Sequence, residues 1–297
     1  MSSKKSRWEA GHQAVEGESE RFGVNVSGIC RKVKISRQNY YARRKARQRQ
    51  AVDSGLVVAL VVQERKIQPR LGTRKLHFLL KATLAKEGVK LGRDRFYEVL
   101  REGELLLERL PAEYPRTTNS YHCLPVFTNQ IKDLKVSKSN QIWVGDLTYL
   151  RTEAGFLYLA LLTDKSSRKV VGYHCGDTLE AQGCVEALKK ALVDLPKGAR
   201  PIHHSDRGTQ YCCHEYVELL ASRGLGISMT ESNHCAENAL AERMNGILKS
   251  EYALGREFKT KASARLAVDQ AVNLYNTRRP HTALAYRTPE EVHQLAA

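Results

Sequence analysis

The sequence has 297 residues and a formal net charge of +16, enough chain for two or three domains with sizeable cores. No apolar run approaches the ~18 residues of a membrane span, and the polar start MSSKKSRWEAG contains no signal-peptide core. The seven cysteines include no CxxC pair, which favours a reducing cytoplasm over a disulfide-bonded secreted protein or a zinc protein.

The positive charge is concentrated towards the N-terminus. Residues 1–50 carry a net charge of +9, residues 51–136 carry +5 and residues 137–297 carry only +2. This gradient indicates a nucleic-acid-binding arm attached to a nearly neutral enzyme. A basic tail that only aids solubility is the alternative interpretation.

Residues 1–50 are predicted to form a basic helix–turn–helix region. Ser27 and Ser36 can each cap a helix, and the second helix carries basic and amide side chains suited to the major groove. The turn between the helices lacks the usual glycine, so an ordinary basic surface helix is the alternative. The candidate DNA contacts in this region are Arg37, Gln38, Arg43 and Arg44.

Residues 51–110 are predicted to form a second helix–turn–helix-like module. It contains three predicted helices: the first spans Ala51–Lys66, the second begins at Thr73 and the third begins after Gly92. Arg93 and Arg95, in the last of these helices, are its expected phosphate contacts. Residues 111–137 contain three prolines and little periodicity, and they are predicted to be a linker.

From residue 138 the pattern changes to strands and alternating helices. The predicted strands are Ile142–Arg151, Phe156–Thr163, Lys169–His174, Arg200–Ser205 and Leu225–Met229, with helices at Leu179–Leu192 and His214–Arg223. The first three strands are joined by short turns and form an antiparallel meander. This element order is that of an α/β, ribonuclease-H-like domain over residues 138–255. Residues 256–297 are predicted to be a C-terminal helical extension, with a helix over Lys261–Leu274.

Three acidic residues of this region are candidate metal ligands. Asp146 lies in the middle of an apolar strand, where an uncompensated carboxylate is costly, and Asp206 follows the next apolar strand. Glu242 lies on a helix whose apolar stripe contains Leu240, Met244, Ile247 and Leu248. Hard oxygen ligands of this kind suit Mg²⁺ or Mn²⁺. Taken singly, each acid is better interpreted as a satisfied strand residue, a turn residue or a solvated helix residue.

The helix that carries Glu242 also has a polar stripe. At 100° per residue, the side chains of Asn238, Glu242, Asn245 and Lys249 lie opposite the apolar stripe. Asn245 and Lys249 are therefore expected to accompany Glu242 at the site and to contact DNA.

Three stretches carry a resemblance to a known family. The segment HHSDRGTQY, the 35 residues between Asp206 and Glu242, and the segment AENALAERMNGILKSE resemble the catalytic core of OrfB transposases of the insertion-sequence-three family, which is similar to retroviral integrases. The later segment YNTRRPHTALAYRTPEEV resembles the C-terminal signature of the same family. The resemblance implies an integrase-like core in which Asp146, Asp206 and Glu242 hold two Mg²⁺ ions, with Lys249 near the DNA end.

The same resemblance implies a reaction and partners. The reaction is cleavage of the ends of an insertion sequence, followed by strand transfer by the freed 3′-hydroxyl group. The expected partners are terminal inverted repeats, target DNA, a second protein called OrfA and further copies of the chain on the DNA ends. Two alternatives remain: a non-catalytic DNA-binding regulator derived from a transposase, and a ribonuclease-H-like nuclease that only hydrolyses.

Overall fold

A computed structural model describes residues 26–32, 34–108, 123–231 and 238–295. Residues 111–122 of the predicted linker and the polar segment before the Glu242 helix lie outside these residues. The described chain divides into two compact units. The first contains residues up to 62 together with 82–104, and the second contains 63–81 and the residues from 105 onwards. No helix among the described residues has the length and apolar character that crossing a membrane requires.

One of the two predicted N-terminal caps is confirmed: Ser36 caps the second helix, whereas Ser27 lies inside the first helix and accepts a hydrogen bond from Arg37 Nη1. Helix α1 covers Val26–Lys32, and α2 begins at Arg37, where the Asn39 amide donates to Ser36 Oγ at 3.1 Å. Lys34 takes the left-handed backbone conformation, with φ 57°, that a glycine would normally supply in this turn. The predicted break near residue 50 is wrong, because α2 continues without interruption to Ile67.

The next two helices start where the sequence predicted. Helix α3 covers Thr73–Lys86, and α4 covers Arg93–Glu102 with Gly92 at its N-cap position. The apolar side of α4 is buried, as its periodicity requires; its buried residues are Phe96, Val99 and Leu100.

The second unit is built on a five-stranded sheet of order β3-β2-β1-β4-β5. The strands are β1 Ile142–Thr152, β2 Gly155–Asp164, β3 Val170–Gly176, β4 Ile202–Ser205 and β5 Gly226–Met229. The first three strands form the predicted antiparallel meander, and β4 and β5 run parallel to β1. This strand order and direction are those of a ribonuclease-H-like fold.

Helices cover both faces of the sheet. Helices α5 Ala181–Val193, α6 Thr209–Cys212 and α7 His214–Ser222 pack on the face that contains Trp143 and Leu162. Helices α8 Ala239–Glu251 and α9 Lys261–Thr277 pack on the face that contains Leu150 and Leu161. A 3₁₀ turn at Thr282–Leu284 and helix α10 Pro289–Leu295 follow. The short α6 is absent from the prediction because four residues carry too little periodicity.

Segment 63–81 packs within the sheet-containing unit. Glu64 accepts from Arg278, Tyr252 donates to Gln68, and Lys75 donates to Glu251 at 2.9 Å. The Phe78 ring stacks on Tyr286, with 4.5 Å between centroids. A large part of the predicted 51–110 module therefore belongs to the same compact unit as the sheet.

Candidate active site

The two aspartates meet where β1 and β4 diverge. Val144 of β1 is paired with His204 of β4, and β4 ends one residue later at Ser205. Asp206 therefore follows the carboxyl end of β4, beside the point on β1 occupied by Asp146. Beyond Val144, no described strand pairs with this side of β1 before Thr152 bridges to Phe258. The aspartates thus stand at an open edge in the middle of the sheet.

Asp146 is held by two hydrogen bonds. Its Oδ1 accepts from the Leu147 amide at 2.9 Å, and its Oδ2 accepts from Asn245 Nδ2 at 2.7 Å. Burial, followed by the negative charge of Asp206, raises the pKa of Asp146 to about 7, and Glu242 contributes further in the same direction. The three carboxylates are therefore close enough to interact electrostatically.

Asp206 is positioned by a tight turn. Its Oδ1 accepts from the Gly208 amide at 3.0 Å, and a Cβ at Gly208 would lie only 3.0 Å from the same oxygen. Arg207 Nε donates to the Thr230 carbonyl at 2.6 Å, which ties the turn to the residues after β5. The Asp206-Arg207-Gly208 sequence therefore presents a carboxylate at a fixed point beyond β4.

Helix α8 places its residues on two different sides. Glu242 lies in the first turn and is exposed, whereas Asn245 is buried against the sheet with its amide on Asp146. Asn245 thus accompanies Glu242 at the site, as the polar stripe predicted, whereas its contact with DNA stays a prediction. Met244 and Leu248 are buried as predicted. Asn238 is also buried and donates to the Gly145 carbonyl at 3.1 Å.

A buried histidine against Gly145, the residue before Asp146, was not predicted from the sequence. His203 Nε2 lies 2.9 Å from Tyr216 Oη, and a Cβ on Gly145 would lie 2.8 Å from that same nitrogen. Burial lowers the pKa of His203 to about 3, so the ring is neutral. Only a glycine lets β1 approach the imidazole so closely. The first histidine of the HHSDRG segment was the available signal.

Lys249 lies near the site, as the helical spacing predicted. Its Nζ is 4.3 Å from the centroid of the Tyr149 ring. Burial and the neighbouring charge of Arg151 lower the pKa of Lys249, while Asp146 opposes that shift. The ammonium group therefore lies close enough to Asp146 and Arg151 for their charges to interact.

The oxygen atoms of this site fit a hard divalent cation. Among the described residues, no three His, Cys, Asp or Glu side chains are grouped closely enough to hold a metal ion. Nevertheless, Asp146 carries a carboxylate that burial and repulsion make costly, and the buried Oδ1 of Asn245 has no hydrogen-bond partner. A cation between Asp146 and Asp206 would relieve both features with oxygen donors, which Mg²⁺ and Mn²⁺ prefer.

The predicted N-terminal DNA contacts lie on the first compact unit. Arg37 and Gln38 are exposed at the start of α2, and Arg43 and Arg44 follow one to two turns later. On α4, Arg93 pairs with Asp94, whereas Arg95 pairs with both Glu98 and Glu102.

Comparison with known proteins identifies the family. Integrase core domain families match residues 136–235 and 223–289. An insertion element IS600 protein of 31 kDa from Shigella sonnei is 32% identical, covering 91% of this chain and 100% of that protein. Transposase InsF for insertion sequence IS3A from Escherichia coli (strain K12) is 30% identical, covering 92% of this chain and 96% of that protein.

A solved structure of the HTLV-2 integrase catalytic core domain in complex with magnesium is also similar. It is 20% identical with a TM-score of 0.44, covering 54% of this chain and 99% of that one. The transposase relatives extend over nearly the whole chain. With its integrase core, this chain belongs to the insertion-sequence-three family and is a transposase of an insertion sequence.

Proposed function

We propose that Asp146, Asp206 and Glu242 form the catalytic centre for cleavage of the element's ends and for strand transfer. The observation that carries this proposal is the electrostatic coupling of the three carboxylates at the open edge of β1. The residues would hold two divalent cations, Mg²⁺ or Mn²⁺, which when bound stabilise negative charge on the attacking and leaving oxygens of a phosphodiester. The attacking group is water in cleavage and the freed 3′-hydroxyl in joining.

The chain's own residues orient this centre. The Asn245 amide fixes the Asp146 carboxylate from one side, and the Leu147 amide fixes it from the other. Asn245 thus acts on Asp146 rather than on DNA in this proposal. The turn at Gly208 fixes Asp206, and the first turn of α8 carries Glu242 towards the same edge. Lys249 supplies a positive charge next to the reacting phosphate.

The remaining parts of the chain are assigned to DNA and protein partners. The basic first unit, with Arg37, Gln38, Arg43, Arg44 and Arg93, reads the terminal inverted repeats; Arg95 contributes less because two glutamates already neutralise it. Copies of the chain assemble on the paired ends, with OrfA as a second protein. The relatives come from bacteria, so we propose that this chain acts on chromosomal DNA in a bacterial cytoplasm.

Substitution of the three carboxylates tests the proposal. Labelled duplexes taken from the DNA on either side of the gene are incubated with the full-length protein in Mg²⁺ or Mn²⁺, and cleaved and joined products are resolved on a gel. Asp146→Asn, Asp206→Asn and Glu242→Gln should each lower cleavage by about 100-fold or more, since the lost charge stabilisation is worth several kcal/mol. Binding of the same duplexes should be retained.

A matched surface substitution controls for non-specific effects. Asp177 forms ion pairs with Lys261 and Arg265 outside the centre, so Asp177→Asn should cleave like the unmodified protein. Near-normal cleavage by any of the three variants would remove that residue from the centre. Cleavage without joined products would favour a hydrolytic nuclease, and binding without either product would favour a DNA-binding regulator.

A further inference from the structure

The strand that carries Asp146 ends in an aromatic surface. Tyr149, three residues after Asp146, packs edge-to-face against Phe156 of β2, with 5.5 Å between centroids and 86° between ring planes. Phe156 is 51% exposed, although it is a large apolar side chain on a regular strand. Its register partner on β1 is Arg151. Exposed aromatic rings beside cationic side chains are the usual elements of surfaces that bind single nucleic-acid strands.

This aromatic surface meets the proposed centre at the open edge of β1. Side chains alternate along a strand, so Tyr149, Arg151 and the register partner Phe156 point to the sheet face opposite Asp146. Lys249 spans this edge, because its ammonium lies over the Tyr149 ring and interacts electrostatically with Asp146 and Arg151. A DNA strand that rounds the edge from Asp146 would therefore pass Lys249 and Tyr149 before it reaches Phe156.

We propose that Tyr149, Phe156, Arg151 and Lys249 form a subsite for an unpaired DNA strand next to the cleaved phosphate. In this subsite a nucleobase stacks on the exposed face of Phe156, and Tyr149 braces that ring at a right angle. Lys249 and Arg151 contact the phosphates on either side of the stacked nucleotide. The subsite rests on the proposed function, because its strand is the one that leads to Asp146.

An unpaired strand fits this surface better than a duplex. Bases inside a duplex are covered on both faces by their neighbours, whereas an unpaired base offers a free face to an aromatic ring. The charge of the surface also favours a DNA strand. Arg151 and Lys249 provide two positive charges, whereas the hairpin turn provides one carboxylate, that of Glu153. The two-residue turn between Thr152 and Gly155 holds Arg151 opposite Phe156.

Fluorescence of a base analogue tests the subsite. Duplexes from the DNA flanking the gene carry a three-nucleotide single-stranded extension containing 2-aminopurine, and they are mixed with the full-length protein in Ca²⁺. Binding should quench the fluorescence as the base stacks on Phe156. Phe156→Leu, which keeps apolar bulk but lacks a ring, should lose the quenching and weaken binding about 10-fold. Phe156→Tyr should retain both.

The control variant changes another exposed apolar residue elsewhere. Val193 at the end of α5 is 81% exposed, so Val193→Ser should quench and bind like the unmodified protein. Undiminished quenching in Phe156→Leu would overturn the subsite, whether or not the oligomeric mass of that variant has changed. These readouts do not require cleavage. Failure of the carboxylate substitutions to stop cleavage is therefore a separate outcome from failure of the subsite.

Discussion

The negative charge of Asp146 is energetically unfavourable when no cation is bound beside it. Asp146 is half-buried, interacts with the charge of Asp206, and receives two hydrogen bonds. A carboxyl group with a pKa near 7 is poised to exchange its proton for a cation at neutral pH. The surrounding residues keep this arrangement in place: Gly145 lets β1 approach His203, and Asn245 prevents the carboxylate from rotating away.

Lys249 offers a test of the charge beside the reacting phosphate. Lys249→Ala should raise the DNA concentration needed for half-maximal cleavage about 10-fold, because a charge-assisted contact to phosphate is worth roughly 1.5–3 kcal/mol. The melting temperature should change little. Lys249→Arg should restore part of the loss, since it keeps the charge but not the shape of the ammonium group. Cleavage and joining are measured against the concentration of end DNA.

A second lysine provides the control for Lys249. Lys190 lies over the Tyr173 ring at 4.5 Å, in the same kind of cation–π contact but on the outer strand β3. Lys190→Ala should leave the DNA dependence unchanged. Equal behaviour of the two variants at low DNA concentration would mean that Lys249 acts only as a surface residue.

Helix α8 shows which part of the site was accessible from the sequence. The helical period fixed the relative directions of Glu242, Met244 and Lys249, and the apolar stripe was assigned correctly. The period could not reveal that Asn245 is buried, because it gives only the direction of the amide and not its hydrogen-bond partner. Its burial depends on the Asp146 carboxylate, which lies 99 residues away in sequence and accepts its hydrogen bond. Such long-range pairing of polar groups leaves no periodic signal.

At the end of α8, Glu251 connects three elements through one buried ion cluster. It accepts from Arg279 Nη2 at 2.7 Å and from Lys75 at 2.9 Å, and the Arg279 side chain is 5% exposed. Glu251→Gln leaves two cations without their carboxylate, so we expect a loss of about 3–5 kcal/mol in the free energy of unfolding. Urea denaturation at neutral pH measures this loss.

Acid should remove the contribution of Glu251. Burial alone would raise the pKa of Glu251, but the hydrogen bonds and charges of Arg279 and Lys75 outweigh it and lower the pKa below the ordinary 4.5. The stabilisation is therefore present above about pH 4.5 and is lost as pH falls through the lower folded-state pKa. Glu186→Gln is the control, because its pair with Lys189 is exposed to solvent and contributes little to stability. Equal losses in the free energy of unfolding for Glu251→Gln and Glu186→Gln would show that the buried ion cluster stabilises the protein no more than an exposed ion pair.

Over the whole molecule, the sequence pattern identified the sheet more accurately than the division of the chain. The five strands fall within two residues of their predicted starts and ends because alternation and turns are local signals. The predicted domain boundaries at residues 50 and 110 did not separate out segment 63–81, which belongs to the sheet-containing unit. That association depends on pairs such as Glu64 with Arg278, more than 200 residues apart, which composition and charge could not indicate.

This association predicts how the chain can be divided. A chain covering 63–297 should be more stable than one covering 137–297. The shorter chain lacks Leu71 and Leu76, which are fully buried, and it leaves Arg278 without Glu64. Thermal unfolding compares the two, with Lys90→Ala as a surface control in the full chain. Equal melting temperatures would show that segment 63–81 is not part of the catalytic fold.

DNA binding by the full chain and by chain 63–297 tests whether the basic N-terminal region contacts the DNA backbone. Residues 1–62, which 63–297 lacks, carry a net charge of +8, half of the +16 of the whole protein. Each lysine or arginine on a phosphate releases counterions, so the logarithm of the full chain's affinity should fall more steeply with the logarithm of the salt concentration. Chain 63–297 should bind more weakly with a shallower slope. Parallel slopes would mean that the basic N-terminal region does not contact the DNA backbone and that the catalytic unit supplies the phosphate contacts itself.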